Sequence, residues 1–290
     1  MPEGDTVRRT ARRLHSALAG QPLLRAELRW GESDGSPLVG RLTLEVVARG
    51  KHLLHRIEGG WTLHSHLRME GSWRITPASA PGPSTGRSGG PDVRAVLGGP
   101  EWTALGIRLG MLDLVRTTQE SGLVGHLGPD VLGADWDEDR AVANVRASTC
   151  TIGEALLDQR NLAGIGTLYC SESLFLQRIN PWKPVAELSP EAVTAVIRRA
   201  HRLLHANLQH AVQSTTGSRR RGENAYVHAR SGRPCRRCGT TIRVAMIGDP
   251  PSDRTMFSCL TCQPGERPSD PGTPQAPLGS AGGRGRRRKG

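Results

Sequence analysis

At 290 residues the chain is long enough for two domains with cores of their own, and its net charge of +12 points to a polyanionic partner. No apolar run approaches the roughly 20 residues that span a bilayer and no signal peptide opens the chain, so a cytoplasmic protein with no membrane partner is expected. Six cysteines in a chain of this length, four of them in two close pairs, argue against a disulfide scaffold.

The chain opens Met1-Pro2-Glu3-Gly4-Asp5. Removal of methionine ahead of proline leaves Pro2 as a free secondary amine. Neutral amines attack sugar or carbonyl carbons and give Schiff bases. An α-amino group with a pKa of about 8 is appreciably neutral at pH 7, and a helix starting just behind it raises that fraction. Val7, Ala11, Leu14 and Leu18 predict such a helix, sharing one apolar face with Arg8, Arg9, Arg12 and Arg13 on the rest. Asp5 or Thr6 is placed to cap it and Gly20 to end it. Glu3 sits beside the amine as a candidate general acid or base. Alone, these residues also describe an ordinary first helix.

A β-rich region follows. Leu42, Leu44 and Val46 alternate with polar or small neighbours, and Gly59-Gly60 reads as a hairpin between Leu53–Ile57 and Trp61–His64. Pro77 to Pro91 is of low complexity and predicts a long inter-strand loop. Strand patterning resumes from Val93 to Arg116 around Gly98-Gly99. Residues 1–120 are therefore expected to form a helix packed with a β-sandwich or barrel.

Beyond Gly128-Pro129-Asp130 the pattern turns helical. Asp137-Glu138-Asp139 charges a first turn, Thr151 and Glu154 form a capping box, and Ser189-Pro190 opens a helix expected to reach about Val212. Between them, Gly164-Ile165-Gly166 precedes a helix through Tyr169, Ser173 and Phe175. Two glycines there would let backbone amides approach a phosphate, although a plain interhelical turn has the same pattern.

Cys235-x2-Cys238 and Cys259-x2-Cys262, twenty residues apart, have zinc-ribbon spacing. Four thiolates close a tetrahedral shell, so one structural Zn2+ per chain is expected. Cys150 and Cys170 are left over as small core residues. Arg254 lies between the knuckles at an expected hairpin, where a phosphate contact is one reading and a plain surface arginine the other. After Gln263 come six Lys/Arg and two acids among many Pro, Gly and Ser, so residues 264–290 read as a disordered basic tail. A net +8 stays on the body. The tail offers sequence-independent attraction to nucleic acid.

Together, Pro2-Glu3-Gly4, Arg49-Gly50-Lys51, Ser65-His66-Leu67, the segment from Gln159 to Phe175 and the region 230–263 resemble the formamidopyrimidine-DNA glycosylase/endonuclease VIII family. The Pro-Glu-Gly start is similar to the endonuclease VIII branch. The resemblance implies a multidomain α+β fold: an N-terminal β-sandwich with its leading helix (1–120), a helix–two-turn–helix DNA-binding domain (128–212) and a zinc ribbon (224–263). It implies a monomeric bacterial enzyme of base excision repair whose partner is damaged DNA. Pro2 would attack C1′ and Glu3 would donate a proton to the opening sugar. Lys51 would serve proton transfer and phosphate contact, and Arg254 would grip the lesion phosphate and assist the second elimination. The loop Leu67-Arg68-Met69 would hold the wedge that fills the emptied stack, with core filling the other reading of Met69.

Two positions depart from the family pattern: Thr6 stands where a second glutamate is usual, and Thr167 where an asparagine follows the glycines. Gln213 to Pro234 leaves roughly ten residues for a lid over the flipped base, and Tyr226-Val227-His228 resembles a strand leading into the ribbon. A short lid suits oxidised pyrimidines over purines. A purine-directed (8-oxoguanine or formamidopyrimidine) glycosylase of the same family and a non-catalytic DNA-binding relative are the alternatives.

Overall fold

The structure, a computed structural model, describes residues 2–30, 34–79, 90, 92–266 and 268. Most of the low-complexity stretch 77–91 and nearly all of the basic tail lie outside the described residues.

Helix α1 (Gly4–Leu18) buries Val7, Ala11, Leu14 and Leu18, the four residues of the expected apolar face. Each of the valine and leucine side chains contributes about 2 kcal/mol relative to exposure, and the Ala11 methyl about 0.8 kcal/mol. Its N-cap is Glu3, and neither Asp5 nor Thr6 caps it. Asp5 is buried inside the first turn.

Eight antiparallel strands follow: β1 (Arg25–Leu28), β2 (Thr43–Arg49), β3 (His52–Ile57), β4 (Trp61–His66), β5 (Ser72–Pro77), β6 (Val93–Gly98), β7 (Trp102–Ile107) and β8 (Met111–Arg116). They form two four-stranded sheets, ordered β1-β6-β7-β5 and β2-β3-β4-β8. Between the sheets and α1 lies a core built on Leu53, Leu63, Leu97 and Leu112. Gly59 and Gly60 make the β3–β4 turn with φ of 80° and 74°, which a residue with a Cβ adopts poorly. In β2 the alternation fails. A register shift between Thr43 and Glu45 turns Leu42 and Leu44 outward and puts Thr43 and Val46 inside.

After a short α2 (Glu120–Val124), four helices build a second core: α3 (Glu138–Arg146), α4 (Ile152–Leu157), α5 (Thr167–Leu176) and α6 (Pro190–Asn207). Asp137, Thr151 and Ser189 cap α3, α4 and α6 by accepting backbone amides. Helix α6 stops at Asn207, short of Val212, because the Asn207 side chain donates to the Ser214 carbonyl and accepts the Ser214 amide, turning the chain.

The hairpin β9 (Ile242–Ile247) and β10 (Arg254–Cys259) packs a third core against Phe175 and Val227. Tyr226-Val227-His228 is not a strand. Its three successive amides, at 2.9, 2.7 and 2.8 Å, donate to the fully buried Glu172 carboxylate of α5, as does the Thr215 hydroxyl. One carboxylate replaces a ladder. Glu172→Ala would strand these amides, each costing about 1–3 kcal/mol. A loss of more than about 3 kcal/mol is expected in thermal or urea unfolding, with Cys235 alkylating faster than in the wild type. Unchanged stability would refute the anchor.

Candidate active site at the amino terminus

The site is built where α1 meets the start of α5. Glu3 is fully buried. One carboxylate oxygen accepts the Gly166 amide at 2.7 Å and the Tyr169 amide at 3.4 Å, and the other accepts the Leu168 amide at 2.7 Å. The positive end of α5 thus faces a side chain of the same molecule. A Cβ on Gly166 would lie 2.6 Å from the Glu3 carboxyl carbon, and Gly164 has φ +109°. The Gly164 carbonyl accepts the Gly4 amide at 2.9 Å. The two glycines therefore bring backbone up to Glu3, and the expected phosphate cradle is in large part a carboxylate cradle. Thr167, the first residue of α5, is buried with them.

Burial pushes the Glu3 pKa above the usual carboxylate range, against the pull of Lys51 and the α5 amides. The protonated form then persists to higher pH, as a proton donor needs. Pro2, half-buried, precedes it directly.

Lys51 follows Gly50 (φ 57°) at the β2–β3 turn. Its ammonium donates to the Ile165 carbonyl. Burial lowers its pKa, Glu3 opposes that shift, and Arg254 adds to it. Lys51 is thus within electrostatic reach of both Glu3 and Arg254. Arg254 is exposed at the start of β10 and donates to the Ser252 and Asp253 carbonyls at 2.6 and 2.9 Å.

Asp130, Gln159 and Asp5 take roles here that a reading of the sequence alone does not give. Asp130 accepts the Gly50 amide at 2.8 Å and so fixes the Lys51 turn. Gln159 accepts the Gly164 amide and donates to the Ile165 carbonyl, both at 3.0 Å. Asp5 accepts the Tyr169 hydroxyl at 3.0 Å and Gln213 at 2.8 Å. Thr6 carries no carboxyl, and this buried Asp5 stands one position earlier. Its charge raises the Glu3 pKa further, though less than burial does. The signal for Asp130 was the Gly128-Pro129-Asp130 turn, legible only as a boundary.

After β4 the chain splits its roles. Leu67 enters the sandwich core at 2% exposure, whereas Met69 stands in solvent at 36%. Core filling is thereby excluded for Met69, and Leu67 anchors the loop. Arg68 beside it has φ 47°, matched by Arg108 at 46° across the β7–β8 turn. Arg108 pairs with Glu70 at 2.8 Å, so a second arginine joins this tip.

Cys235, Cys238, Cys259 and Cys262 converge with their sulfurs all within 4.8 Å. The Cys235–Cys262 and Cys238–Cys259 separations are 4.0 and 3.4 Å. A tetrahedral ion with metal–sulfur bonds of ~2.3 Å sets its sulfurs ~3.8 Å apart, so this set fits one. Hydrogen bonds from Thr240 hold the Cys238 thiol down to about 6, while burial pushes Cys259 up to about 12. Cys170 is buried and Cys150 half-buried.

A proline near the amino terminus, a buried acid on a helix end and a four-cysteine hairpin define a sandwich–helix–ribbon protein. Residues 1–96 match the formamidopyrimidine-DNA glycosylase N-terminal domain and residues 127–219 the formamidopyrimidine-DNA glycosylase H2TH domain. The "Probable endonuclease 8 2" of Streptomyces coelicolor is 51% identical, covering 92% of this chain and 96% of its own. The "DNA-(apurinic or apyrimidinic site) lyase Nei2" of Mycolicibacterium smegmatis is 39% identical, covering 91% and 99%. The Lactococcus lactis formamidopyrimidine-DNA glycosylase bound to abasic-site DNA has the same fold, with a TM-score of 0.75, 24% identity and coverage of 91% and 100%. The chain belongs to the formamidopyrimidine-DNA glycosylase/endonuclease VIII family.

Proposed function

We propose that this chain is a bifunctional base-excision DNA glycosylase and abasic-site lyase. The observation that carries the reading is Glu3, buried next to Pro2 and gripped by the α5 amides, with Lys51 alongside. A protein that only bound DNA would have no use for a buried acid beside its amino terminus. Relatives named endonuclease 8 and abasic-site lyase support the same reading.

With methionine removed, the neutral Pro2 nitrogen forms a bond to C1′ of the damaged nucleotide as the C1′–base bond breaks, and the proton shed by that nitrogen neutralises the departing base. Glu3 gives its proton to the sugar ring oxygen, which opens as the iminium forms. Loss of the proton at C2′ then expels the 3′ phosphate. Lys51 serves proton transfer and phosphate contact, and Arg254 grips the lesion phosphate and assists the second elimination. The base must first leave the stack, which costs a few kcal/mol and least for damaged pairs. The exposed Met69 and Arg68 fill the gap.

One Zn2+ held by the four cysteines fixes the hairpin that carries Arg254 and takes no part in the chemistry. Residues 1–120 serve as the catalytic sandwich, 128–212 as the helical DNA-binding domain and 224–263 as the ribbon. The enzyme works as a monomer on damaged DNA in the bacterial cytoplasm. Among the described residues no helix is long and apolar enough to cross a membrane.

Oxidised pyrimidines such as thymine glycol are the preferred lesions. The segment from Thr215 to Asn224 closes on itself through the Thr215 amide and Asn224 carbonyl at 2.9 Å, with Thr216 bonded to the Glu223 carbonyl. A loop closed that tightly leaves little chain to cover a bicyclic base. The test compares kcat/KM on duplexes differing only in the lesion. Thymine glycol should exceed 8-oxoguanine opposite cytosine by about tenfold or more, since a missing pocket contact is worth about 1–3 kcal/mol. The reverse order would favour the purine-directed reading, and no cleavage of abasic DNA would favour the non-catalytic one.

A further inference from the structure

On the outer face of the β2-β3-β4-β8 sheet, three side chains form a hydrogen-bonded line that the chemistry above does not use. Asp113 of β8 and His64 of β4 are register partners, as are His52 of β3 and His66 of β4. Side chains on one sheet face recur every second residue, so all four lie opposite the core-facing Leu53, Leu63 and Leu112. The Asp113 carboxylate meets His64 Nδ1 at 2.9 Å, and His64 Nε2 meets His52 Nδ1 at 2.8 Å. The two rings stack with centroids 5.1 Å apart, and His66 stands edge-on to His52 at 4.9 Å. The His64 side chain is fully buried, whereas the Asp113 side chain is 43% exposed. His52 is half-buried, next to Lys51 and at the edge where β4 leads into Arg68 and Met69.

Only one proton fits between His52 Nδ1 and His64 Nε2. With both rings neutral, His64 Nδ1–H donates to Asp113 and His52 Nδ1–H donates to His64. His52 Nε2 is then a bare acceptor. One added proton changes the whole line. It enters on His52 Nε2, the Nδ1 proton passes to His64, and the positive charge rests on His64 beside Asp113. His52 stays neutral throughout but now presents Nε2–H as a donor.

We propose that Asp113, His64 and His52 form a proton relay that makes His52 a hydrogen-bond donor to a DNA backbone phosphate, so that DNA binding takes up one proton. The proposal rests on the DNA-binding reading above. His64 and Asp113 are positioning residues, and His52 is the contact.

The charges around the line fit this division. Burial, with His66, His64, His126 and Lys51, pushes His52 down to about 3. Burial, Lys51, His64 and Arg68 likewise push His66 down to about 4. From β2, Arg49 opposes His52 in register, but its guanidinium is tied to the Gly128 carbonyl at 3.1 Å and to Asp135 at 3.4 Å. His126 approaches from the segment after α2. Asp113 is therefore the anion that faces the line, and it faces His64. A phosphate at the His52 edge favours the donor form, which is the coupling.

The experiment measures the affinity of the zinc-loaded full chain for a duplex carrying a tetrahydrofuran abasic analogue, from pH 6 to 7.5. Ionic strength is held constant, because phosphate contacts are salt-sensitive. Uptake of one proton changes Kd by up to about tenfold per pH unit, so wild-type binding should tighten about three- to tenfold or more toward pH 6. Calorimetry in two buffers of different ionisation enthalpy should return an uptake of about one proton. His64→Gln and Asp113→Asn should flatten the slope and remove the uptake, and the half-exposed His52→Gln should do so even if the buried variants fold poorly. A merely structural role would weaken binding without changing its slope. Equal slopes in wild type and His52→Gln overturn the relay. Borohydride trapping of wild type on abasic DNA separates the two readings: trapping with a flat slope overturns the relay alone, and absence of trapping overturns the proposed enzyme.

Discussion

An amino-terminal tag left uncleaved ahead of Pro2 should abolish the borohydride-trapped adduct with abasic DNA, and Pro2→Gly should reduce it sharply. A blocked nitrogen is an amide whose lone pair is delocalised into its carbonyl and so cannot form the bond to C1′, and no other group at the site is a secondary amine. Loss of a covalent nucleophile costs roughly 10³-fold or more in rate, far beyond any change in binding. Single-turnover cleavage with excess enzyme isolates that step from product release. Full trapping by the blocked protein would move the nucleophile to Lys51, whose pKa burial already lowers. Glu3→Gln provides the companion result. Because burial raises the Glu3 pKa, its acid form is lost only as pH rises through that raised value. Excision should therefore fall on the alkaline side, and Glu3→Gln should lose both rate and that limb. Stability follows the same sign, since charging a buried carboxyl penalises the folded state as pH rises.

Removing the metal from the four-cysteine site should cost more than any surface change. Structural zinc sites of this kind contribute on the order of 10 kcal/mol to their local fold. The ribbon's own core is small, with Val244, Phe257 and Phe175 among its few large members. Cys259→Ser, at a fully buried sulfur, should lower bound zinc from one per chain to a trace and expose the hairpin to protease. Arg254 opens β10, the strand that ends at Cys259, so DNA affinity should drop by about tenfold or more at fixed salt. Cys150→Ser, outside the cluster, should keep its zinc. Elemental analysis of freshly purified protein that finds no zinc would refute the assignment.

The elements most legible in the sequence were those set by short-range rules. The Val7–Leu18 face, the Thr151–Glu154 capping box and the Gly59-Gly60 turn each need only their own neighbours, and each formed as expected. The cysteine pairs carried their geometry in their spacing. What stayed hidden depends on partners far away in the chain. Gly164-Ile165-Gly166 has the pattern of an anion site, and the pattern is silent on whether the anion is a phosphate or Glu3. Tyr226–His228 has strand composition, yet its amides turn to Glu172, 54 to 56 residues earlier. Leu44 fits the strand alternation and still lies at the surface, because a bulge shifts the phase. Asp5 looked like a cap and became a buried partner of Tyr169 and Gln213 through contacts no local window contains.

Glu3 precedes a helix of one core, and the amides that hold it begin a helix of another. Neither domain alone supplies both the carboxylate and the amides that hold it. A chain whose sandwich has folded ahead of its helices has an acid in water, with an ordinary pKa and no grip on its position. On the proposed mechanism, chemistry at Pro2 would therefore need both domains in place.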